Sequence, residues 1–199
     1  MNAMSRKEFL CKAALAIGSL AVLPSLVPTL VRAASNETIV SEPHIVPTNL
    51  KFTETLIPRK ITNLIIVHHV GGTDRDVSAA EIHQWHLANG WAGIGYHFLI
   101  HKNGMIEQGR PLYAIGAHCY GYNQTSVGIC SAGDFDISFP TKNQIDSASH
   151  LIAYLCQKYG LKPDSRTVLG HRDLNQTECP GQNYYSQLEA LRKKTAYFL

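Results

Sequence analysis

Apolar residues fall in short runs whose period changes along the chain, and those periods predict strands alternating with helices. From Ile61 to His69 the run holds Ile61, Leu64, Ile65, Ile66 and Val67 with no regular polar alternation. That is the pattern of a strand buried on both faces of a sheet, and it ends at His68-His69. Gly71-Gly72 breaks the strand. Ser78-Ala79-Ala80-Glu81 is then a capping box, in which the Ser and Glu side chains satisfy the first free backbone N–H groups of a helix running to about Ala88. Tyr96 to His101 and Met105 to Gly109 flank Lys102-Asn103-Gly104, where Asn-Gly supplies the positive φ of a hairpin turn. Thr125 to Ala132 reads as a further strand. Thr141 and Gln144 cap a second helix, whose apolar positions Ile145, Ala148, Ile152, Leu155 and Tyr159 step by three or four until Gly160 stops it. Thr167 to Leu169 predicts a short strand delivering His171, and Tyr184 to about Thr195 a last helix. Strands mixed with helices on one core predict an α/β fold: a single domain with a central mixed β-sheet flanked by helices.

The N-terminal third departs from this pattern. Met1 to Ala34 combines a basic start (Arg6, Lys7, Lys12), an apolar segment from Ala13 to about Val31, and small residues at Ala33, Ala34 and Ser35. This is the layout of a secretory signal peptide, expected over residues 1–33. About 19 weakly polar residues also approach the lower limit for a membrane anchor; Pro24 and Pro28 and the small residues at the end favour cleavage. Ser5 to Lys12 further resembles a twin-arginine export signal in which Lys7 replaces the second Arg. The mature chain is therefore expected to be periplasmic or extracellular, with the membrane met only through the export signal. Residues 34–58 carry Pro43, Pro47 and Pro58 without a clear period and predict a linker or extended lead-in. The domain proper is expected over residues 59–199.

Removing residues 1–33 takes away four of the 18 basic residues (Arg6, Lys7, Lys12, Arg32) and one of the 15 acids (Glu8), which leaves the two signs balanced. A chain near neutrality has no electrostatic footprint for nucleic acid. Four cysteines remain after cleavage: Cys119, Cys130, Cys156 and Cys179. Cys130 and Cys156 lie in apolar patterns and read as buried small hydrophobes. A disulfide involving Cys119 stays open.

Candidate chemistry gathers at strand ends. Gly170-His171-Arg172-Asp173 is followed by Thr177-Glu178-Cys179-Pro180-Gly181, and His68-His69 ends what should be a neighbouring strand. Singly, a His at a strand end is ordinarily structural and a Cys ordinarily core. Together, two imidazoles and a thiolate make a three-ligand set that leaves the fourth position of a tetrahedral Zn²⁺ open for water, the layout of a hydrolytic site. Adjacent strand residues face opposite ways, so only one of His68 and His69 can serve. Asp173 is an outer carboxylate on a ligand imidazole, a solvated loop acid or a salt-bridge partner. His83, His86 and His97 read as helix-face or core residues; Trp85 and Trp91 could line a sugar site, but as apolar residues around a helix they read first as packing.

Val67-His68-His69, the run Gly90-Trp91 with Ile94 to Ile100, Gly116-Ala117-His118 with Tyr122-Asn123, Ser126 and Gly128-Ile129, and His171-Arg172-Asp173 with Thr177 to Gly181 occur in that order. In this the chain resembles the zinc amidase family shared by phage-type lysozyme amidases and peptidoglycan recognition proteins, over roughly residues 59 to 190. The resemblance implies N-acetylmuramoyl-L-alanine amidase activity, one Zn²⁺ per chain, and peptidoglycan or muropeptides as partner. It selects His68, with His171 and Cys179, as metal ligands, and places Tyr96 and Thr177 beside the reacting water. Both side chains can donate hydrogen bonds to a developing oxyanion. His118 resembles a residue bordering the substrate groove. Thr at position 177 is the recognition-protein version, where phage enzymes usually carry Lys. The rival implied by the same resemblance is a non-catalytic peptidoglycan-binding module, in which the metal-binding Cys has become Ser; Cys179 distinguishes the two.

Overall fold

The computed structural model describes residues 39–199, all within one compact unit; the expected signal peptide lies outside the described residues. In chain order the elements are β1 (Ile45–Val46), β2 (Leu64–His69), α1 (Ala79–Ala88), β3 (Phe98–Ile100), β4 (Ile106–Gln108), β5 (Ser126–Ser131), α2 (Lys142–Tyr159), β6 (Val168–Gly170), α3 (Gln182–Tyr185) and α4 (Leu188–Ala196). Single 3₁₀ turns occupy Asn123–Thr125 and His171–Asp173. The six strands form one sheet in the order β1-β4-β3-β5-β2-β6. Only the β3–β4 hairpin is antiparallel, so the sheet is mixed. The expected α/β architecture is the one observed.

β2 runs between β5 and β6, parallel to both. That position explains its unbroken apolar run, because helices cover both faces. On one face Ile65, Val67, Val127 and Ile129 pack with Leu151, Ile152 and Leu155 of α2 and Leu188 and Leu191 of α4. On the other, Leu99 and Cys130 pack with Ala79 and Ile82 of α1. Each fully buried Ile or Leu contributes about 1.5–3 kcal/mol relative to exposure. Both capping boxes form, at Ser78/Glu81 and Thr141/Gln144. The hairpin turn also forms, with Gly104 at positive φ (+89°).

Three expectations need correction. The central strand starts at Leu64 and not Ile61, because its ladder to β5 begins at the Leu64–Ser126 pair; Ile61 is left 63% exposed. Part of the lead-in joins the sheet: Ile45–Val46 pairs in parallel with β4, and the Val40 N–H is held by the Gln157 side chain at 2.9 Å. The last helix is broken into α3 and α4. The Asn183 carbonyl accepts from the side chains of Ser186 (3.1 Å) and Gln187 (3.2 Å), and the Gln187 N–H turns to the Tyr184 carbonyl instead (2.9 Å). All four described cysteines are free, Cys119 included, and Cys130 and Cys156 are buried as expected.

Candidate metal centre

The site arises where β2 outruns β6. The β6 ladder stops at Gly170 opposite Val67, so His68 and His69 project one step beyond their neighbour. The His69 backbone N–H, left without a β6 partner, hydrogen-bonds the Cys179 sulfur. After β6 the chain turns sharply at His171. Asp173 Oδ2 holds that turn by accepting from the Gly170 N–H (2.8 Å), and Tyr185 OH donates to its Oδ1 (2.5 Å). The loop then returns, with the Arg172 N–H on the Cys179 carbonyl (2.9 Å). Ligand atoms of His68, His171 and Cys179 end within 4.8 Å of one another, with Cys179 Sγ 3.5 Å from His68 Nδ1.

The outer nitrogen of each imidazole is already engaged. His68 Nε2 lies 3.0 Å from His118 Nδ1, and His171 Nε2 lies 3.0 Å from Asn175 Oδ1. Burial, reinforced by the facing His171, keeps His68 neutral, far below its ordinary pKa; burial lowers that of His171 too. Burial also pushes the Cys179 thiol up to about 12. A thiolate here therefore needs a cation against it. Two neutral imidazoles and one sulfur, each His fixed through its other nitrogen, is a donor set that fits zinc.

A groove of about 540 Å³ opens beside the cluster, lined by Trp91, His118, Tyr120, Asn123, His171 and Thr177 among others. No Lys, Arg, Asp or Glu is among its lining residues. The Tyr96 ring packs 5.1 Å from that of His68, and burial lifts its phenol well above the usual range, so it stays protonated. Thr177 Oγ1 accepts from the Cys179 N–H at 3.2 Å, which leaves its own hydrogen free to donate.

Residues 58–182 match the Amidase_2 family, described as N-acetylmuramoyl-L-alanine amidase. The chain belongs to this amidase family. The endolysin of Enterobacteria phage T3 is 36% identical over 130 residues, 62% of this chain and 83% of that protein. Peptidoglycan-recognition protein LB (PGRP-LB) of Drosophila melanogaster is 37% identical over 134 residues, 63% of this chain and 57% of that one. Among solved structures, the endolysin amidase LysCS of Clostridium intestinale superposes with a TM-score of 0.70 at 36% identity, covering 76% of this chain and 96% of its own. A PGRP-LB mutant in complex with tracheal cytotoxin superposes at 0.66 with 29% identity, covering 73% and 93%.

Within this amidase-family chain the six residues singled out from the sequence lie around the cluster and its groove. His68, His171 and Cys179 converge; Tyr96 packs on His68; Thr177 and His118 line the groove. His118 is only 7% exposed, and both its ring nitrogens meet protein groups, His68 Nε2 and Ser126 Oγ. His69 points away, accepting from the Phe135 N–H at 3.1 Å. Asp173 contacts neither imidazole and instead ties the turn. Trp91 corrects the packing expectation: it is 45% exposed on the groove rim, its ring 4.6 Å from His86. His83, His86 and His97 do play structural parts, accepting from the N–H groups of Ile94, Gly95 and Gly128. Sequence reasoning missed Asn175, which the His-x-x-x-Asn spacing across one turn could have flagged. It named Asn123 within a motif but gave it no role; the Asn123 Oδ1 accepts from the N–H groups of both His118 and Cys119.

Proposed function

We propose that the chain is an exported, zinc-dependent N-acetylmuramoyl-L-alanine amidase that hydrolyses the bond between the muramic lactyl group and the first L-alanine of the peptidoglycan stem. The observation that carries this reading is the convergence of His68, His171 and Cys179 at the head of an open groove. His68, His171 and Cys179 would hold one zinc. Zinc bound there supplies Lewis acidity, polarising the scissile carbonyl and bringing the pKa of water to about 7. The chain's own groups do the rest. Tyr96, protonated through burial, and Thr177, whose hydroxyl hydrogen is free, donate to the oxygen that gains negative charge as the carbonyl is attacked. Exposed Trp91 and Tyr120 offer flat apolar faces to sugar or peptide, and the uncharged wall holds the substrate through neutral contacts.

The names of the relatives, an endolysin and a peptidoglycan-recognition protein, support peptidoglycan or muropeptides as the partner. Retention of Cys179 speaks against a binding module that lacks catalysis. The test is mass spectrometry of products from defined muropeptides. The expected products are a glycan with a free lactyl carboxyl and a stem peptide with a free N-terminal alanine. Substrate that is bound and left intact would instead make the chain a recognition module. Export rests on the basic, apolar and small-residue pattern of residues 1–33. N-terminal sequencing of secreted protein should find a start near Ala34, and soluble cytoplasmic protein retaining Met1 would refute it.

A further inference from the structure

We infer that Asn175 and His118 are positioning residues that impose one tautomer on the two imidazole ligands, so that both His68 and His171 present Nδ1 to the metal. The inference rests on reading those histidines as ligands, and backbone carbonyls carry its logic. The Asn175 amide has one end between two of them: Nδ2 donates to the Leu174 carbonyl at 2.9 Å and to the Tyr120 carbonyl at 3.2 Å. An amide oxygen placed there would meet two lone-pair acceptors, so the orientation is fixed and Oδ1 occupies the other end. Oδ1 lies 3.0 Å from His171 Nε2 and 3.2 Å from Cys119 Sγ. An oxygen without a hydrogen only accepts, so His171 carries its proton on Nε2. The lone pair left for a metal is on Nδ1.

His118 passes the same constraint to His68 through one more link. Ser126 Oγ spends its single hydrogen on the Tyr122 carbonyl (2.8 Å), so toward His118 Nε2 (3.3 Å) it can only accept. His118 is therefore protonated on Nε2 and offers the Nδ1 lone pair to His68 Nε2 at 3.0 Å. That places the His68 proton on Nε2 and frees Nδ1, the nitrogen 3.5 Å from Cys179 Sγ. The His118 ring has a built niche. A Cβ at Gly116 would come within 2.4 Å of it and one at Gly128 within 2.6 Å, so glycine at both positions is what admits the ring. Asn123 Oδ1 fixes the backbone beside it (2.8 Å to the His118 N–H). Both chains of bonds thus end in residues 118–126, the segment that also walls the groove.

The test measures zinc affinity by competition with a chromogenic chelator, on proteins whose folding is verified by circular dichroism. Asn175→Leu and His118→Phe, which remove the acceptors, should each weaken zinc binding about 10–100-fold. The tautomer itself decides the role of Asn175. In metal-free parent the ¹⁵N shifts of His171 should show the proton held on Nε2, and in metal-free Asn175→Leu a mixture of the two tautomers. If Asn175 only ties the loop, His171 should show the same tautomer in both proteins, and that result would overturn its positioning role. In zinc-loaded parent with ¹⁵N-labelled histidine, the shifts of His68 and His171 should mark Nδ1 as metal-bound and Nε2 as protonated. Ligation through Nε2 would defeat this inference while leaving the amidase reading intact; a parent that binds no zinc would defeat that reading itself.

Discussion

His68 and His69 are neighbours on β2, and each meets two further side chains that could hold a metal: His171 and Cys179 on one face, Asp134 and Asp136 on the other. The two groups are about equally compact, and what separates them is how their lone pairs are spent. In the first, the outer nitrogens are bound and the inner atoms face one another. In the second, His69 Nδ1 already accepts from the Phe135 N–H. Asp134 accepts from the Gly72 and Asp136 N–H groups at 3.0 and 3.1 Å, and Asp136 accepts from the Gln182 N–H at 2.9 Å. The second group is a knot tying the 134–136 loop to β2 and α3. Proximity of ligand types does not make a centre unless their lone pairs are left free to converge.

Breaking the first group should have the largest effect. A serine hydroxyl stays protonated and is a far poorer zinc ligand than a thiolate, so Cys179→Ser should lose both zinc and hydrolysis. Peptidoglycan pull-down should persist, since most of the groove comes from other segments. A variant hydrolysing as fast as the parent would remove Cys179 from the ligand set. Next in size, Tyr96→Phe and Thr177→Val should each lower kcat about 10²–10³-fold with zinc retained and KM little changed; parental rates would reassign both residues to packing.

The opposite face should respond in stability alone. His69→Leu strands the Phe135 N–H and should cost about 1–3 kcal/mol in denaturant unfolding while zinc content stays at one per chain. Loss of zinc at the same time would mean that the two groups are not separable. Asp136→Asn keeps an acceptor for the Gln182 N–H and should change stability by less than roughly 0.5 kcal/mol. A larger fall, or any change in zinc content, would give the Asp136 charge a role that this comparison denies it.

The elements were legible wherever a local signal and a long-range one agreed. Ser78/Glu81 and Thr141/Gln144 announce their helices because a capping box is complete within four residues. The apolar run of β2 could be read because burial on two faces leaves no alternation. β1 was illegible: two residues carry no period, and its partner, β4, lies some sixty positions on. The ligands were visible as residue types at strand ends, although choosing His68 over His69 needed the family resemblance. The groups that hold those ligands were not visible. Asn175 and Ser126 look like ordinary polar loop residues until the fold sets them against particular carbonyls, and Trp91 looked like packing because its exposure depends on where the 117–126 segment lies.

Metal dependence tests the central claim most directly. Protein purified without added metal should contain one zinc per chain by elemental analysis. It should lose muropeptide hydrolysis when the metal is stripped by a chelator and regain it on adding one equivalent of zinc. Full hydrolysis by protein whose metal has been verifiably removed would contradict the account.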